Sequence, residues 1–526
     1  MRKIRLFIIV VLLLMIMPEG FGQFNAEGLK LMEVMDKVSR YYVDSLDEDE
    51  FVEETIVNML HELDPHSSYI SKEDLKEIRE QLDGEFDGIG VSFNVLNDTI
   101  FIVGTIQGGP SERVGIMAGD RIIKVDDEVV AGIGISTGGV QKRLKGPKGT
   151  KVDVTVYRKS TDQEIEFTIT RDKIPVYSLD ASYMIDEEIG YIKLSRFSQT
   201  TTAEFEEALV DLQKQGMENL VLDLSSNGGG YLRVAVELAD HFLKGGRRIV
   251  YTEGDKVPRR EYTATGEGDF EKGRLVVMID ENSASASEIV SGAVQEWDRG
   301  VLVGRRSFGK GLVQQPFRLN DGSEMRLTIA RYYTPTGRLI QKPYEKGYDE
   351  YAMDIINRYN NGELNSSDSV YFPESEKYET LVKGRTVYGG GGIMPDYFVA
   401  IDTMPNTAYF RGLISRGIFN QFVLRYVDKN RPSLERKYKD FGRFKKKFDA
   451  KEEMDNLISY AEQAGLTFIE EEWNRSEERI EMLFKAYVAR DLWDSAKFYE
   501  IYNESNPIFL KSKEILMEPR FYVDKL

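Results

Sequence analysis

Three serines at alternate positions, Ser283, Ser285 and Ser287, follow the apolar run Leu275 to Ile279. They precede a stretch with helical spacing: Ile289, Val290, Ala293, Val294 and Trp297. A hydroxyl on such a strand-to-helix turn lies at the positive end of the helix, where charge developing on an attacked carbonyl is favoured. It still needs a base. The chain has three histidines, His61, His66 and His241, and no cysteine. Ser-His chemistry therefore has few residues to use, and Cys-ligated metal has none. A lysine can replace histidine. Its reference pKa is about 10.4, but burial penalises the ammonium and lowers that value. The neutral amine can then take a proton from a nearby hydroxyl. Lys310 lies in Ser307-Phe308-Gly309-Lys310-Gly311-Leu312-Val313-Gln314. Its flanking glycines allow close backbone approach, and Gln314 is placed to hold the amine. Gly228, Gly229 and Gly230 can present N–H groups to an oxyanion, together with the amide of Ala286. The residues alone do not choose among the three serines. Ser and Ala at a helix start are also good caps, and Gly-Lys-Gly is also an ordinary turn.

The elements that must position these groups follow from periodicity. Residues from about 172 to 341 alternate strands with helices, an α/β pattern. Gly190 to Leu194 and Leu220 to Leu224 read as strands. Thr201-x-x-Glu204 reads as a capping box for the helix carrying Phe205, Ala208, Leu209 and Leu212, with Gly216 as its stop. Ala235, Leu238, Ala239 and Phe242 mark the next helix. Upstream, residues 24–82 read as helices, with Leu31, Val34, Met35 and Val38 at helical spacing and Ser71-x-x-Asp74 as an N-cap. His61 and His66 flank Asp64-Pro65, which argues against one continuous helix face, so capping or packing is expected of them rather than metal binding. Residues from about 84 to 171 are β-rich, with alternating runs such as Thr99 to Val103 and Val152 to Val156. The glycines of Gly88-Ile89-Gly90-Val91-Ser92-Phe93 can form a nest for a carboxylate. A Tyr- and Asn-rich stretch, about 344–388, reads as an insertion, and residues 403–526 read as charged helices.

At 526 residues the chain is too long for one hydrophobic core and implies roughly three or four domains. Its net charge of −19 disfavours broad nucleic-acid binding. Hydrophobic residues at 41% and charged residues at 30% exclude wholesale disorder. Arg2, Lys3 and Arg5 precede the apolar run Leu6 to Met17, which as a helix reaches only about 18 Å against a hydrocarbon core of about 30 Å. With Gly20-Phe21-Gly22 after it, residues 1–22 read as a cleavable export signal with Gln23 as the mature start. An uncleaved anchor is the alternative. No later run is long enough to span a bilayer, and the absence of cysteine suits an oxidising envelope compartment.

Several of these motifs occur together in one known pattern. Ser-Ala-Ser-Ala-Ser-Glu-Ile (283–289), Phe-Gly-Lys-Gly-x-Val-Gln (308–314), Leu-Asp-Leu-x-x-Asn-x-Gly-Gly (222–230), Ala-Arg-Tyr-Tyr-Thr-Pro-Thr-Gly-Arg (330–338) and Leu-Asp-Pro-His-Ser-Ser-Tyr (63–69) resemble the carboxyl-terminal processing, or tail-specific, protease family. With Gly119 to Asp126 and Leu144 to Thr150, the segment 84–172 is similar to that family's PDZ domain. The resemblance spans about residues 30 to 400. It implies a multidomain α+β fold: signal peptide 1–22, N-terminal helices 23–83, PDZ domain 84–172, an α/β protease core of crotonase/ClpP-like type over 173–402, and a C-terminal helical region over 403–526. It also implies a Ser-Lys dyad without metal or cofactor. The family spacing pairs Ser285 with Lys310 and makes Gln314 the assisting amide. Its oxyanion donors map to Ala286 and to Gly229, with Gly230 as the alternative. Gly228 departs from the proline often found there. The PDZ residues Gly88, Ile89, Gly90, Val91 and Phe93 are implied to bind exposed C-terminal tails of envelope proteins, and an adaptor or a homo-oligomer is a further partner class. Two rival readings are a catalytically inactive PDZ scaffold, which the presence of Ser285, Lys310 and Gln314 disfavours, and a crotonase-like acyl-transfer enzyme, for which an exported chain would lack acyl-CoA.

Overall fold

A computed structural model describes residues 26–526; the expected export signal, residues 1–22, lies outside them. Helices α1 (Ala26–Tyr41) and α2 (Glu48–His61) belong to one unit, and the chain from Asp64 onward forms a second. No helix among the described residues is long and apolar enough to cross a membrane.

The second unit opens with strand β1 (Ser68–Ile70) and helix α3 (Lys72–Asp83). Ser71 caps α3 as expected, its Oγ accepting the Asp74 N–H at 3.1 Å. Strand β1 was not expected from a stretch read as helical. It forms because a long strand of the core, β18 (Glu324–Tyr333), offers it an antiparallel edge. The PDZ domain follows. Its short strand β2 (Glu85–Gly88) pairs with β9 (Asp172–Pro175). Its main sheet has the order β3-β4-β5-β7-β8, from β3 (Val91–Val95), β4 (Ile100–Thr105), β5 (Arg121–Val125), β7 (Lys151–Arg158) and β8 (Gln163–Thr170), with β6 (Glu128–Val129) beside β5. Helices α4 (Pro110–Val114) and α5 (Thr137–Leu144) complete it. Strand β3 is an edge, so its outer backbone groups remain open to an added strand.

The core has two sheets. The first runs β10-β11-β12-β15-β16-β21, from β10 (Leu179–Met184), β11 (Ile189–Leu194), β12 (Asn219–Asp223), β15 (Leu275–Ile279), β16 (Val301–Gly304) and β21 (Tyr397–Phe398); all neighbours after β10-β11 are parallel. Strands β12 and β15 are buried along their whole length, as their unbroken apolar runs require when both faces are covered. Alternate residues serve opposite cores. Leu220, Leu222, Leu275, Val277 and Ile279 face helices α6 (Thr201–Lys214), α7 (Leu232–Asp240) and α8 (Ala286–Glu296). Val221, Val276 and Met278 face Ile508, Phe509, Ile515, Leu516 and Tyr522 near the C-terminus. The second sheet is antiparallel, with β18 (Glu324–Tyr333) between β1 and β13 (Arg248–Gly254), β14 (Val257–Thr263) beyond β13, and β17 (Leu312–Arg318) also on β18. The insertion carries the hairpin of β19 (Lys377–Glu379) and β20 (Thr386–Tyr388).

Two local expectations change. The N-cap position of helix α6 is Thr200, one residue earlier than expected, and its hydroxyl makes no cap bond to the helix backbone. The Glu204 carboxylate accepts from Thr200 Oγ1 at 2.6 Å and from the Ser178 and Leu179 amides at 2.8 and 2.9 Å, so it fastens the helix to the start of β10. Helix α8, expected to bury one face, is buried at every residue. Val250 of β13 and Tyr332 of β18 share its core, so it is enclosed between the two sheets. The helices near the C-terminus are structural for the first sheet: Phe509 meets the Tyr191 ring at 5.5 Å and 74°. Phe509→Ala is expected to lower the stability of this core by about 3–5 kcal/mol, read as a reduced urea midpoint at unchanged slope.

Candidate active site

Two turns at the carboxyl ends of neighbouring parallel strands build the site, the usual place for chemistry in an α/β sheet. One follows β12 and runs Ser225-Ser226-Asn227-Gly228-Gly229-Gly230. The other follows β15 and ends at Ser285, the residue before α8. Their packing separates the three serines. The Ser283 hydroxyl is buried and donates to the Leu224 carbonyl at 2.8 Å. The Ser287 hydroxyl is buried and donates to the Asn227 carbonyl at 2.8 Å. Ser285 lines an open cleft of about 540 Å³, with Lys310, Gln314, Gly228, Gly230, Tyr231 and Arg326. Its backbone is strained, with φ 55° and ψ −111°. A non-glycine residue held in such a region costs on the order of 1–3 kcal/mol and persists only where its surroundings impose it.

The surroundings that impose it are two buried side chains. Glu288, on the first turn of α8, accepts the Ser285 N–H at 2.8 Å and the Lys310 N–H at 2.9 Å. It also accepts the Gly309 N–H at 2.7 Å and the Ser307 hydroxyl at 2.5 Å. The Tyr332 hydroxyl sits against the carbonyls of the same two residues, Ser285 and Lys310. The carboxylate thus fastens the backbone N–H of the serine to that of the lysine, and the phenol, with one proton to give, lies between their two carbonyls. Burial pushes the Glu288 pKa up, and its four hydrogen bonds oppose that rise.

Lys310 has its pKa pushed down, mainly by burial and next by the Arg326 charge, against the opposing charges of Glu288 and Asp64. Arg326 is held by Glu324 at 3.2 Å, and Glu324 also takes Arg79 of α3 at 2.6 Å. Gln314 lies opposite Thr328 across β17 and β18, and its Nε2 donates to Thr328 Oγ1 at 3.3 Å. His66 packs beneath the lysine loop: its Nε2 is 2.7 Å from the Tyr351 hydroxyl, and its ring meets Phe308 edge-on at 6.5 Å. Burial, then Lys310, lowers its pKa to about 3. The histidine therefore stays neutral.

Ala286 is the first residue of α8, so its N–H has no intrahelical acceptor. The glycine turn presses against it. A Cβ on Gly229 would stand 2.9 Å from the Ala286 nitrogen, and one on Gly230 would stand 2.1 Å from the Phe197 carbonyl oxygen. Both positions therefore demand glycine. The Gly229 N–H itself donates to Asn227 Oδ1 at 2.9 Å, while Gly228 and Gly230 line the cleft.

The PDZ residues form a second concavity, of about 390 Å³. Gly88, Ile89, Gly90, Val91 and Phe93 face Thr137, Gln141 and Leu144 of α5 across it. Helix α3 walls both hollows. Glu77, Glu80 and Gln81 line the groove, while Arg79, Leu82 and Asp83 line the cleft.

Residues 188–349 match peptidase family S41, residues 88–169 match the PDZ domain, and residues 409–494 match a family of unknown function. The carboxy-terminal-processing protease of Bartonella bacilliformis is 34% identical over 353 residues, covering 65% of this chain and 80% of that protein. The chain belongs to the carboxy-terminal processing protease family. Another member, CtpB of Bacillus subtilis, is 34% identical over 331 residues, covering 61% of this chain and 68% of its own. Among solved structures, the photosystem II D1 C-terminal processing protease is 29% identical with a TM-score of 0.34, covering 60% of this chain and 90% of its own.

In this carboxy-terminal processing protease family member, Glu288, Tyr332 and Asn227 lie inside the motifs but have tasks that only the fold shows. Asn227 joins the two turns: its carbonyl accepts the Ala284 N–H at 3.0 Å, and its amide donates to the Leu194 carbonyl at 2.9 Å. A buried acid three residues after a turn serine was the available signal for Glu288. Glu288→Gln places an amide N–H₂ among donors. It is expected to cost about 3 kcal/mol of stability and to depress turnover with it, measured by thermal unfolding and peptide cleavage.

Proposed function

We propose that this member of the carboxy-terminal processing protease family is an exported serine endopeptidase that cuts envelope proteins presented by their C-terminal tails. The reading rests above all on the joint placement of Ser285, in a strained turn at a helix start, and a desolvated Lys310 in one cleft. Lys310, neutral as free base, takes the Ser285 proton. Ser285 Oγ attacks the scissile carbonyl carbon, and the tetrahedral oxyanion is held by the Ala286 N–H. The second donor is the amide of Gly230, since that of Gly229 is engaged by Asn227. Protonated Lys310 gives its proton to the leaving amine. Water, deprotonated by the same amine, then hydrolyses the acyl-enzyme. Gln314 holds the amine in place. A substrate tail adds as a strand along β3, with its end at Gly88 to Gly90. The export signal rests on residues 1–22, and a mature chain beginning at Gln23 tests it.

Ser285→Ala and Lys310→Met are each expected to abolish cleavage of a tail-exposed protein and labelling of Ser285 by a serine-directed acylating probe. Full activity in either variant defeats the dyad. Activity should rise with pH as Lys310 loses its proton, and the midpoint should lie below the free-lysine value of 10.5. Between the folded and free values the unfolded chain binds more protons, so stability rises with pH there, and at neutral pH Lys310 opposes folding. Lys310→Met should therefore stabilise the inactive protein, read as a higher Tm.

A further inference from the structure

One buried group near the cleft has no part in the steps above. Asp64 is 7% exposed, and its carboxylate accepts four hydrogen bonds. Oδ1 takes the His66 and Ser67 N–H groups, each at 2.8 Å, and Oδ2 takes the Ser67 hydroxyl at 2.6 Å. These three bonds shape the turn that leads into β1. The fourth reaches out of the turn: Thr328 Oγ1 donates to Oδ1 at 3.0 Å. The Thr328 N–H in turn donates to Ser67 Oγ at 3.1 Å, so strand β18 is docked on the turn at this point.

That fourth bond has a consequence for Gln314. A threonine hydroxyl has one proton. Thr328 spends it on Asp64, so towards Gln314 the hydroxyl can only accept. The amide of Gln314 must then present Nε2 to Thr328, as it does at 3.3 Å. Its Oε1 is the other end of the amide, and Gln314 lines the cleft that Ser285 and Lys310 share. An amide turned this way accepts an N–H from a lysine amine and leaves the amine lone pair for the serine proton. The reversed amide would donate to that lone pair and compete with Ser285 for it.

We infer that Asp64 and Thr328 are positioning residues for catalysis: acting through Gln314, they fix which end of its amide meets the Lys310 amine. The inference rests on the Ser285–Lys310 reading. Asp64 also shapes its own turn, so the informative substitution is Thr328→Val. It keeps the shape and the β-branched side chain and leaves the three turn bonds of Asp64 intact. Thr328→Ser restores the hydroxyl alone.

The experiment measures kcat, KM and the pH profile of peptide cleavage for the full chain and both variants, with Tm as the control for folding. In Thr328→Val, kcat is expected to fall roughly ten- to a hundredfold with KM within twofold. The acidic limb of the profile should move to lower pH, because the ammonium form of Lys310 loses an acceptor. Thr328→Ser should recover most of kcat and return the limb. A Thr328→Val enzyme with unchanged kcat and limb overturns the inference, as does a Thr328→Ser enzyme as impaired as the valine variant. Failure of the underlying reading is distinguishable. It appears as activity in Lys310→Met, whereas an inactive Lys310→Met beside a fully active Thr328→Val removes only the relay.

Discussion

A carboxylate with no solvent contact is costly unless donors surround it, and Glu288 is placed where four converge. Those donors come from two segments, the serine turn and the lysine loop, whose furthest members, Ser285 and Lys310, are 25 residues apart in sequence. The acid therefore gathers Ser285 and the Lys310 loop as the price of its own burial. It also settles an electrostatic conflict. A carboxylate beside a lysine ordinarily keeps the amine charged. Here its oxygens are taken by main-chain N–H groups and one hydroxyl, so it grips Lys310 by the backbone, and burial with the Arg326 charge dominates the amine.

The rest of the core serves this arrangement. Parallel strands β12 and β15 end side by side, so the glycine turn and the serine turn are neighbours, and Asn227 joins them. The second sheet closes over α8, bringing Tyr332 to the carbonyls that complement the N–H groups on Glu288. A strained Ser285 is then the outcome of many fixed contacts rather than a local preference. The helices near the C-terminus cover the opposite face of the first sheet, which gives a stretch without chemical motifs a packing role.

Helix α3 is shared between the two hollows. Its Glu80 is bonded to Lys145 at the end of the PDZ groove, and Lys145 lies over the Phe86 ring at 4.8 Å. Its Arg79 reaches Glu324, which holds Arg326, the cation that helps depress Lys310. A run of charged side chains thus leads from the PDZ concavity through α3 and the start of β18 to Lys310.

Residue pattern was sufficient for whatever depends on neighbours in the chain. Apolar runs gave β12 and β15, Ser71 gave the α3 cap, and alternation gave a β-rich segment, while the resemblance to a known family implied the PDZ domain and the pairing of Ser285 with Lys310 and Gln314. Even a shifted detail, Thr200 for Thr201 as a cap, stayed within one residue. Pattern could not choose among Ser283, Ser285 and Ser287, because all three are equally good helix-start residues. Packing separated them by tying two of the hydroxyls to buried carbonyls. Nor could it foresee β1, whose strand character comes from the edge of β18 some 255 residues later, on the Ser68–Arg326 to Ile70–Glu324 register. The tasks of Glu288, Tyr332, Asn227, Asp64 and Thr328 were equally hidden. Each consists in joining segments remote in sequence, and a hydrogen bond of that kind exists only once both partners have been carried to the same place.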